Sequence, residues 1–162
     1  MTGTRDATGW WTQQTHDAVG RVSVVTNPLG FASRTQYDLA GRATAALDRQ
    51  GQLTTWVYHP RGWVTSSTDA GGTTYYAHDN AGNVISTTNP ASQTTTFDID
   101  ELHRVTKTTY HSTLFTQTTF DALGNVATFR GLDGLVTKYT HDALNRVTSM
   151  TEAFGTAAAR TT

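Results

Sequence analysis

Cysteine is absent from this 162-residue chain, and proline occurs only three times. The lack of cysteine excludes disulfides, thiolate metal sites and a cysteine nucleophile. A formal net charge of −1 lacks the basic excess that a nucleic-acid-binding surface needs. No apolar run approaches the roughly 20 residues of a membrane-spanning helix, and no signal peptide is visible. We therefore expect no nucleic-acid partner and no membrane span.

One short motif, Asp-x-x-Gly, recurs along the chain. It appears as "HDAVGR" (16–21), "YDLAGR" (37–42), "HDNAGN" (78–83), "FDALGN" (120–125) and, with Asn for Gly, "HDALNR" (141–146). Its first residue, which we call the anchor, recurs at a nearly constant spacing, at Asp17, Asp38, His59, Asp79, Asp100, Asp121 and Asp142. A weaker copy follows half a repeat later, at half-repeat marks Asn27, Asp48, Asp69, Asn89, Tyr110, Gly131 and Glu152, and "DATG" (6–9) fits as an earlier one. The sequence is therefore an internal repeat with a period of about 21 residues.

Glycine and proline follow the same register, which favours turns over catalysis. Eleven of the 14 glycines stand three residues after an anchor or mark, and all three prolines stand one residue after. Asp or Asn at the first turn position, Pro at the second and Gly at the fourth are typical turn chemistry. The predicted structural turn residues are Asp17, Gly20, Asp38, Gly41, Asp48, Gly51, Gly62, Asp69, Gly72, Asp79, Gly82, Asp100, Asp121, Gly124 and Asp142.

The segments between turns read as short β-strands. Each has about six residues and is rich in Val, Thr and aromatics, as in "RVSVVT" (21–26) and "LTTWVY" (53–58). Side chains two residues apart share a face of a strand. This alternation predicts a stripe of sheet-face aromatics at Tyr37, Trp56, Tyr58, Tyr76, Phe97, Phe120 and Tyr139.

The predicted fold is all-β, an antiparallel β-hairpin meander. Because open twisted sheets rarely exceed about ten strands without curling, we expect this one to curl into part of a spiral β-shell. We expect a single repeat array over residues 1–162, with repeats beginning near 16, 37, 58, 78, 99, 120 and 141. An N-terminal half-repeat over 5–15 precedes them.

The pattern [Tyr/Phe/His]-Asp-x-x-Gly-[Arg/Asn]-[Val/Ala] resembles the repeats of the Rhs and YD-repeat family. "YDLAGRA", "FDALGNV", "HDNAGNV" and "HDALNRV" carry the resemblance, which covers about residues 5–155. The family includes bacterial polymorphic toxins, shell subunits of insecticidal toxin complexes and the animal teneurins. The resemblance implies a hollow β-shell that, in the bacterial members, encloses a C-terminal toxin.

The chain also departs from the family pattern. It lacks the Pro-x(4)-Asp-Pro-x-Gly-Leu-like self-cleavage motif of toxin-bearing members. With about seven repeats, it resembles a fragment of a larger shell. His103 stands where Gly is usual and His59 where Asp is usual, so we expect those two turns to be less ideal.

The titratable residues give no clear catalytic pattern. Most acids lie at turn marks, and His16, His78 and His141 occupy the aromatic position before the anchor. We therefore expect no catalytic, metal or cofactor site and no enzyme activity. Trp10 and Trp11 are open to two interpretations, strand residues or sugar-stacking platforms.

Four arginines recur four residues after an anchor, at Arg21, Arg42, Arg104 and Arg146. One hypothesis makes them a solvated edge, or partners of turn aspartates in adjacent repeats. The other makes them a basic row that contacts cell-surface glycan. We favour the first, because Trp63, Asn83 and Asn125 interrupt the row.

The resemblance implies a structural role. The expected function is a shell segment that encapsulates or displays a C-terminal toxin or effector. The expected partners are the rest of its own β-shell and the encapsulated toxin domain, and the expected location is secreted or at a bacterial cell surface. The alternative is a carbohydrate-binding adhesion module.

Overall fold

The computed structural model describes residues 2–5, 7, 9–152 and 160–161. The chain divides into two compact units, Met1–Tyr75 and Tyr76–Thr162, and the division lies within the strand Gly72–His78. Asp6 of the first predicted turn and Gly155 of the last lie outside the described residues.

The first unit is a β-meander, because alternating β-branched and aromatic segments are separated by turns too short for any crossover. Consecutive strands pair in antiparallel fashion from β1 to β8. Its strands are β1 (Thr2–Arg5), β2 (Trp11–His16), β3 (Val22–Thr26), β4 (Ala32–Tyr37), β5 (Ala43–Leu47), β6 (Leu53–Tyr58), β7 (Val64–Asp69) and β8 (Gly72–His78).

The second unit has the same organisation. Consecutive strands pair antiparallel from β9 to β16. Its strands are β9 (Val84–Thr88), β10 (Thr94–Ile99), β11 (Val105–Thr109), β12 (Phe115–Phe120), β13 (Val126–Arg130), β14 (Val136–His141), β15 (Val147–Glu152) and β16 (Arg160–Thr161).

The predicted all-β antiparallel hairpin fold is confirmed. Strands β2 to β15 are those bounded by the predicted turns, whereas β1 precedes the first turn and β16 follows the last. The half-repeat pattern did not predict these two outer strands, because each is flanked by a turn signal on one side only.

Within the described residues, twelve turns share one hydrogen-bond pattern. At Asp38, the backbone amide donates to the Arg42 carbonyl at 2.9 Å, and the Gly41 amide donates to the Asp38 carbonyl at 3.1 Å. This is a type I turn followed by a residue in the left-handed region. Gly41 has a φ of 85°, which a residue without Cβ adopts at low cost.

The hairpins at the anchors differ from those at the half-repeat marks. In six anchor hairpins the pairing register shifts beside the residue before the anchor, as between Gln36 and Tyr37. The half-repeat hairpins pair without a shift. Because bulges increase local twist, we expect the anchor hairpins to be more strongly twisted than the half-repeat hairpins.

One face of each unit carries half-buried aromatic side chains. In β6, Trp56 and Tyr58 are half-buried, whereas Val57 between them is exposed. In β12, Phe120 is half-buried and Thr119 is exposed. No side chain of the described residues is fully buried, so this aromatic face is only partly covered.

Candidate functional site

The carboxylate of each anchor aspartate organises its own turn. One oxygen of Asp17, Oδ1, accepts hydrogen bonds from the backbone amides of Val19 at 3.0 Å and Arg21 at 2.9 Å. Asp side chains favour turns because they can satisfy these amides. The second oxygen, Oδ2, is left to bind the side chain four residues after the anchor.

The arginine four residues after the anchor connects one repeat to the next. Arg21 Nε donates to Asp17 Oδ2 at 2.6 Å, and its Nη1 donates to the Asp38 carbonyl of the following anchor turn at 2.9 Å. Its guanidinium carbon lies 4.6 Å from the centroid of the Tyr37 ring. The Tyr37 hydroxyl in turn donates to the Val22 carbonyl at 3.0 Å. Three types of contact therefore join two successive hairpins.

The next repeat of the first unit has the same contacts. Arg42 Nε donates to Asp38 Oδ2 at 2.7 Å, and its guanidinium carbon lies 4.6 Å from the Tyr58 ring centroid. The Tyr58 hydroxyl donates to the Ala43 carbonyl at 2.7 Å. We call this recurring set of contacts the Asp–Arg–aromatic ladder.

The second unit repeats the ladder with substitutions. Arg104 Nε donates to Asp100 Oδ2 at 2.8 Å, and its guanidinium carbon lies 3.8 Å from the Phe120 ring centroid. At Asp121 an asparagine replaces the arginine, and Asn125 Nδ2 donates to Asp121 Oδ2 at 3.2 Å. The turn at Asp100 therefore has both the arginine and its ring contact, whereas the turn at Asp121 has an asparagine in place of the arginine.

Hydrogen bonds within the turns lower the pKa of the anchor carboxyl groups. The pKa of Asp17 is lowered, first by the hydrogen bond from the Arg21 amide, while partial desolvation opposes the shift. The Arg104 side chain is the main cause that lowers the pKa of Asp100. At Asp121, desolvation is the largest effect and raises the pKa, but hydrogen bonds, chiefly from Asn125, outweigh it and the net shift is downward. The folded state thus favours ionised anchors.

Four turns keep their left-handed residue without glycine. Ser92, His103, Thr113 and Asn145 have φ values of 60°, 62°, 67° and 61°. Asn tolerates this region best, and β-branched Thr tolerates it worst. His59, the other unusual turn residue, accepts a hydrogen bond from the Arg61 amide through Nδ1 at 3.2 Å and stacks on Trp63 with centroids 5.3 Å apart.

The repeat found in the sequence corresponds to a known family. The family model described as RHS Repeat matches residues 16–53, 37–74, 78–111 and 120–157. The chain belongs to the RHS repeat family. No curated protein matches the chain.

Solved structures similar to this RHS repeat chain are toxin-complex proteins. The Photorhabdus luminescens Tc holotoxin pore shares 16% identity, with a TM-score of 0.69, over 91% of this chain and 9% of its own. TcdB2-TccC3 shares 17% identity, with a TM-score of 0.70, over 94% of this chain and 10% of its own. TcdB2-TccC3 without its hypervariable C-terminal region gives 17% identity, a TM-score of 0.71 and coverages of 94% and 9%. The chain spans about a tenth of the length of these structures, and at such identities the likeness shows the fold.

The four arginines of the carbohydrate hypothesis, which the sequence did not favour, form salt bridges within their own turns. Arg21, Arg42, Arg104 and Arg146 each pair with the aspartate of their own turn at 2.6–2.7 Å. The expectation of pairing with aspartates of adjacent repeats is wrong, because the turn brings residues four apart together. Because these guanidinium groups already pair with turn aspartates, the structure does not favour the carbohydrate hypothesis.

Within residues 2–5, 7, 9–152 and 160–161, no group of three or more His, Asp or Glu side chains could hold a metal ion. Over the same part of the chain, no helix is long and apolar enough to span a membrane.

Sequence reasoning missed two features of the RHS repeats. One is the donation from the Tyr37 and Tyr58 hydroxyls to the preceding repeat. The other is the stacking of Arg21 on Tyr37 and of Arg42 on Tyr58, the aromatic residues that precede the next anchors. The spacing from Arg21 to Tyr37 is the same as that from Arg42 to Tyr58, and this constancy is the signal that could have revealed both features.

Proposed function

We propose that this RHS repeat segment is part of a wall that encloses or displays another polypeptide, a toxin or effector, and that the segment has no catalytic activity. The observation that supports the proposal is the ladder. In each complete rung, meaning one copy of these contacts, an ion pair fixes the arginine to its own turn. A carbonyl contact, a ring contact and a tyrosine hydroxyl then join that hairpin to the next. Such nearest-neighbour coupling suits a repeat wall.

The partly covered aromatic face supports contact with further polypeptide. Its aromatic side chains are half-buried in both units, whereas a finished hydrophobic core buries such residues. The partners proposed are further repeats of the same wall and the enclosed toxin. The proposed location, outside a bacterial cell or at its surface, follows from the family resemblance.

The experiment is protease protection of the complete gene product that contains this segment. The reading frame is first sequenced on both sides, and the product is digested in the native state and after unfolding. We expect any non-repeat region to resist cleavage until the repeats unfold. Equal cleavage before and after unfolding would contradict enclosure.

A matched pair of variants links the result to the ladder. Replacing both Arg21 and Arg42 by alanine removes two rungs and should speed cleavage of the protected region. Replacing Arg49, an exposed residue of the turn 48–51, should leave it unchanged. If the non-repeat region is cleaved equally slowly in both variants, the ladder does not contribute to its enclosure.

A further inference from the structure

An open pocket of about 480 Å³ lies on the second unit. Its walls include Asn125, Val126, Phe129, Tyr139, His141 and Val147. We call it the Asn125 pocket. The ladder suggests what it binds, because the same positions are filled by a side chain in other repeats.

The repeat register identifies the missing group. Positions 125, 126, 141 and 147 correspond, one repeat earlier, to Arg104, Val105, Phe120 and Val126. There the guanidinium carbon of Arg104 lies 3.8 Å from the Phe120 ring centroid. Asn125 is shorter than arginine, and its Nδ2 also donates to Asn145 Oδ1 at 3.0 Å. The side chain at this position is therefore turned towards the neighbouring turn and leaves the guanidinium position open.

The carboxylate that holds a guanidinium elsewhere has its counterpart at Asp121, which is bonded to the pocket residue Asn125. Asp121 Oδ2 accepts a bond of 3.2 Å from the neutral amide of Asn125, longer than the 2.8 Å bond between Asp100 Oδ2 and Arg104. The His141 ring nitrogen lies 4.0 Å from the same oxygen of Asp121. A carboxylate beside flat rings and apolar walls matches the planar cation and aliphatic stem of arginine.

We propose that the Asn125 pocket binds the guanidinium group of an arginine side chain from another polypeptide segment. The guanidinium N–H groups donate to the Asp121 carboxylate and the plane stacks against the His141 ring. The methylene stem lies against Val126 and Val147. The polypeptide source follows from the filled copies, in which an arginine side chain supplies the same group at Arg21, Arg42 and Arg104.

The test is an NMR titration of the 162-residue chain, observing the methyl signals of Val126 and Val147. The probes are acetyl-arginine amide, its uncharged isostere acetyl-citrulline amide, acetyl-lysine amide and guanidinium chloride. We expect saturable shifts from the arginine probe with a Kd of about 1–10 mM, as suits a single side chain. Binding of the other three should be at least about tenfold weaker, because they lack the charge, the planar fork or the stem.

Two substitutions at matched ladder positions complete the test. Asn125→Arg supplies the guanidinium from within the chain and should abolish binding of the arginine probe. Asn83→Arg, the same change after Asp79, should leave binding intact. If Asn125→Arg fails to fold, the comparison of arginine with citrulline still decides. Equal binding of both probes, no shifts, or unchanged binding to Asn125→Arg would overturn the proposal.

Discussion

The guanidinium of Arg21 lies over the ring of Tyr37, which belongs to the next repeat, with its central carbon 4.6 Å from the ring centroid. The same arginine pairs with Asp17 of its own turn and donates a hydrogen bond to the Asp38 carbonyl of the next anchor turn. Side chains that are distant in sequence thus become neighbours where the ladder is complete. The predictions below test how much this arrangement contributes.

The stacking of Arg21 on Tyr37 should contribute measurably to stability. We expect a double-mutant cycle with Arg21→Ala and Tyr37→Leu to give a coupling of about 0.5–1 kcal/mol, as for a partly exposed cation–π pair. Urea unfolding measures each free energy. Arg49→Ala combined with Tyr37→Leu is the control and should show no coupling. A coupling energy of zero between Arg21→Ala and Tyr37→Leu would mean that the stacking of these two side chains does not contribute to stability.

The tyrosine hydroxyls should stabilise the contact between successive repeats. Tyr58→Phe removes the donor to the Ala43 carbonyl and should lower the free energy of unfolding by about 0.5–1.5 kcal/mol. Tyr75→Phe, on the exposed face of β8, is the matched control and should have no effect. Equal effects of the two changes would show that the hydroxyl bond contributes nothing specific.

The turn at Thr113 should be under backbone strain. Its φ of 67° places a β-branched residue in the left-handed region. Thr113→Gly should therefore stabilise the chain by about 1 kcal/mol. Asn145→Gly, at the same turn position, should gain less because Asn tolerates this conformation, and Ser112→Gly beside Thr113 should not stabilise. Thermal unfolding of the three variants gives the order.

Acid should destabilise the ladder. The anchor carboxyl groups have lowered pKa values in the folded state, as at Asp100 through the Arg104 side chain. A depressed pKa contributes stability that is complete above the ordinary aspartate pKa of about 3.9 and is lost as the pH falls below it. Unfolding free energy should therefore decrease below about pH 4. Asp100→Asn should flatten that decrease, whereas Asp98→Asn, on strand β10 just before the turn, should not.

An arginine at position 125, as at the equivalent positions 21, 42 and 104, should stabilise the second unit. Asn125→Arg places a guanidinium beside Asp121 and should raise the midpoint of thermal unfolding by about 1–3 °C. Asn125→Gln, which lengthens the side chain without a charge, is the control. If the midpoint of thermal unfolding is lower for Asn125→Arg than for Asn125→Gln, the pocket does not accept a guanidinium from position 125.

The repeat made most of the fold predictable. Gly41 and its counterparts sit where a left-handed residue is required, and Asp17 and its counterparts sit where turn amides need an acceptor. These are local requirements, satisfied within a single turn, so they leave a readable period in the sequence. The antiparallel meander follows, because turns this short can connect only adjacent strands.

The partners of the arginines required the tertiary structure. The residues next to Arg21 in the sequence do not show whether its side chain faces solvent, an aspartate of another repeat or Tyr37. Only the register of neighbouring strands decides among these, and the pairing of β3 with β4, in which Val24 lies opposite Arg34, sets that register. The opening beside Asn125 depends on the same alignment of repeats.

The sequence by itself thus determined strands β2 to β15, the turns between them and their order, because each depends on contacts between residues close together in the chain. The tertiary structure decided which side chains meet between hairpins and which position is left open. Those contacts join residues in successive repeats, and a shift of one residue in strand pairing would turn every such side chain to the opposite face.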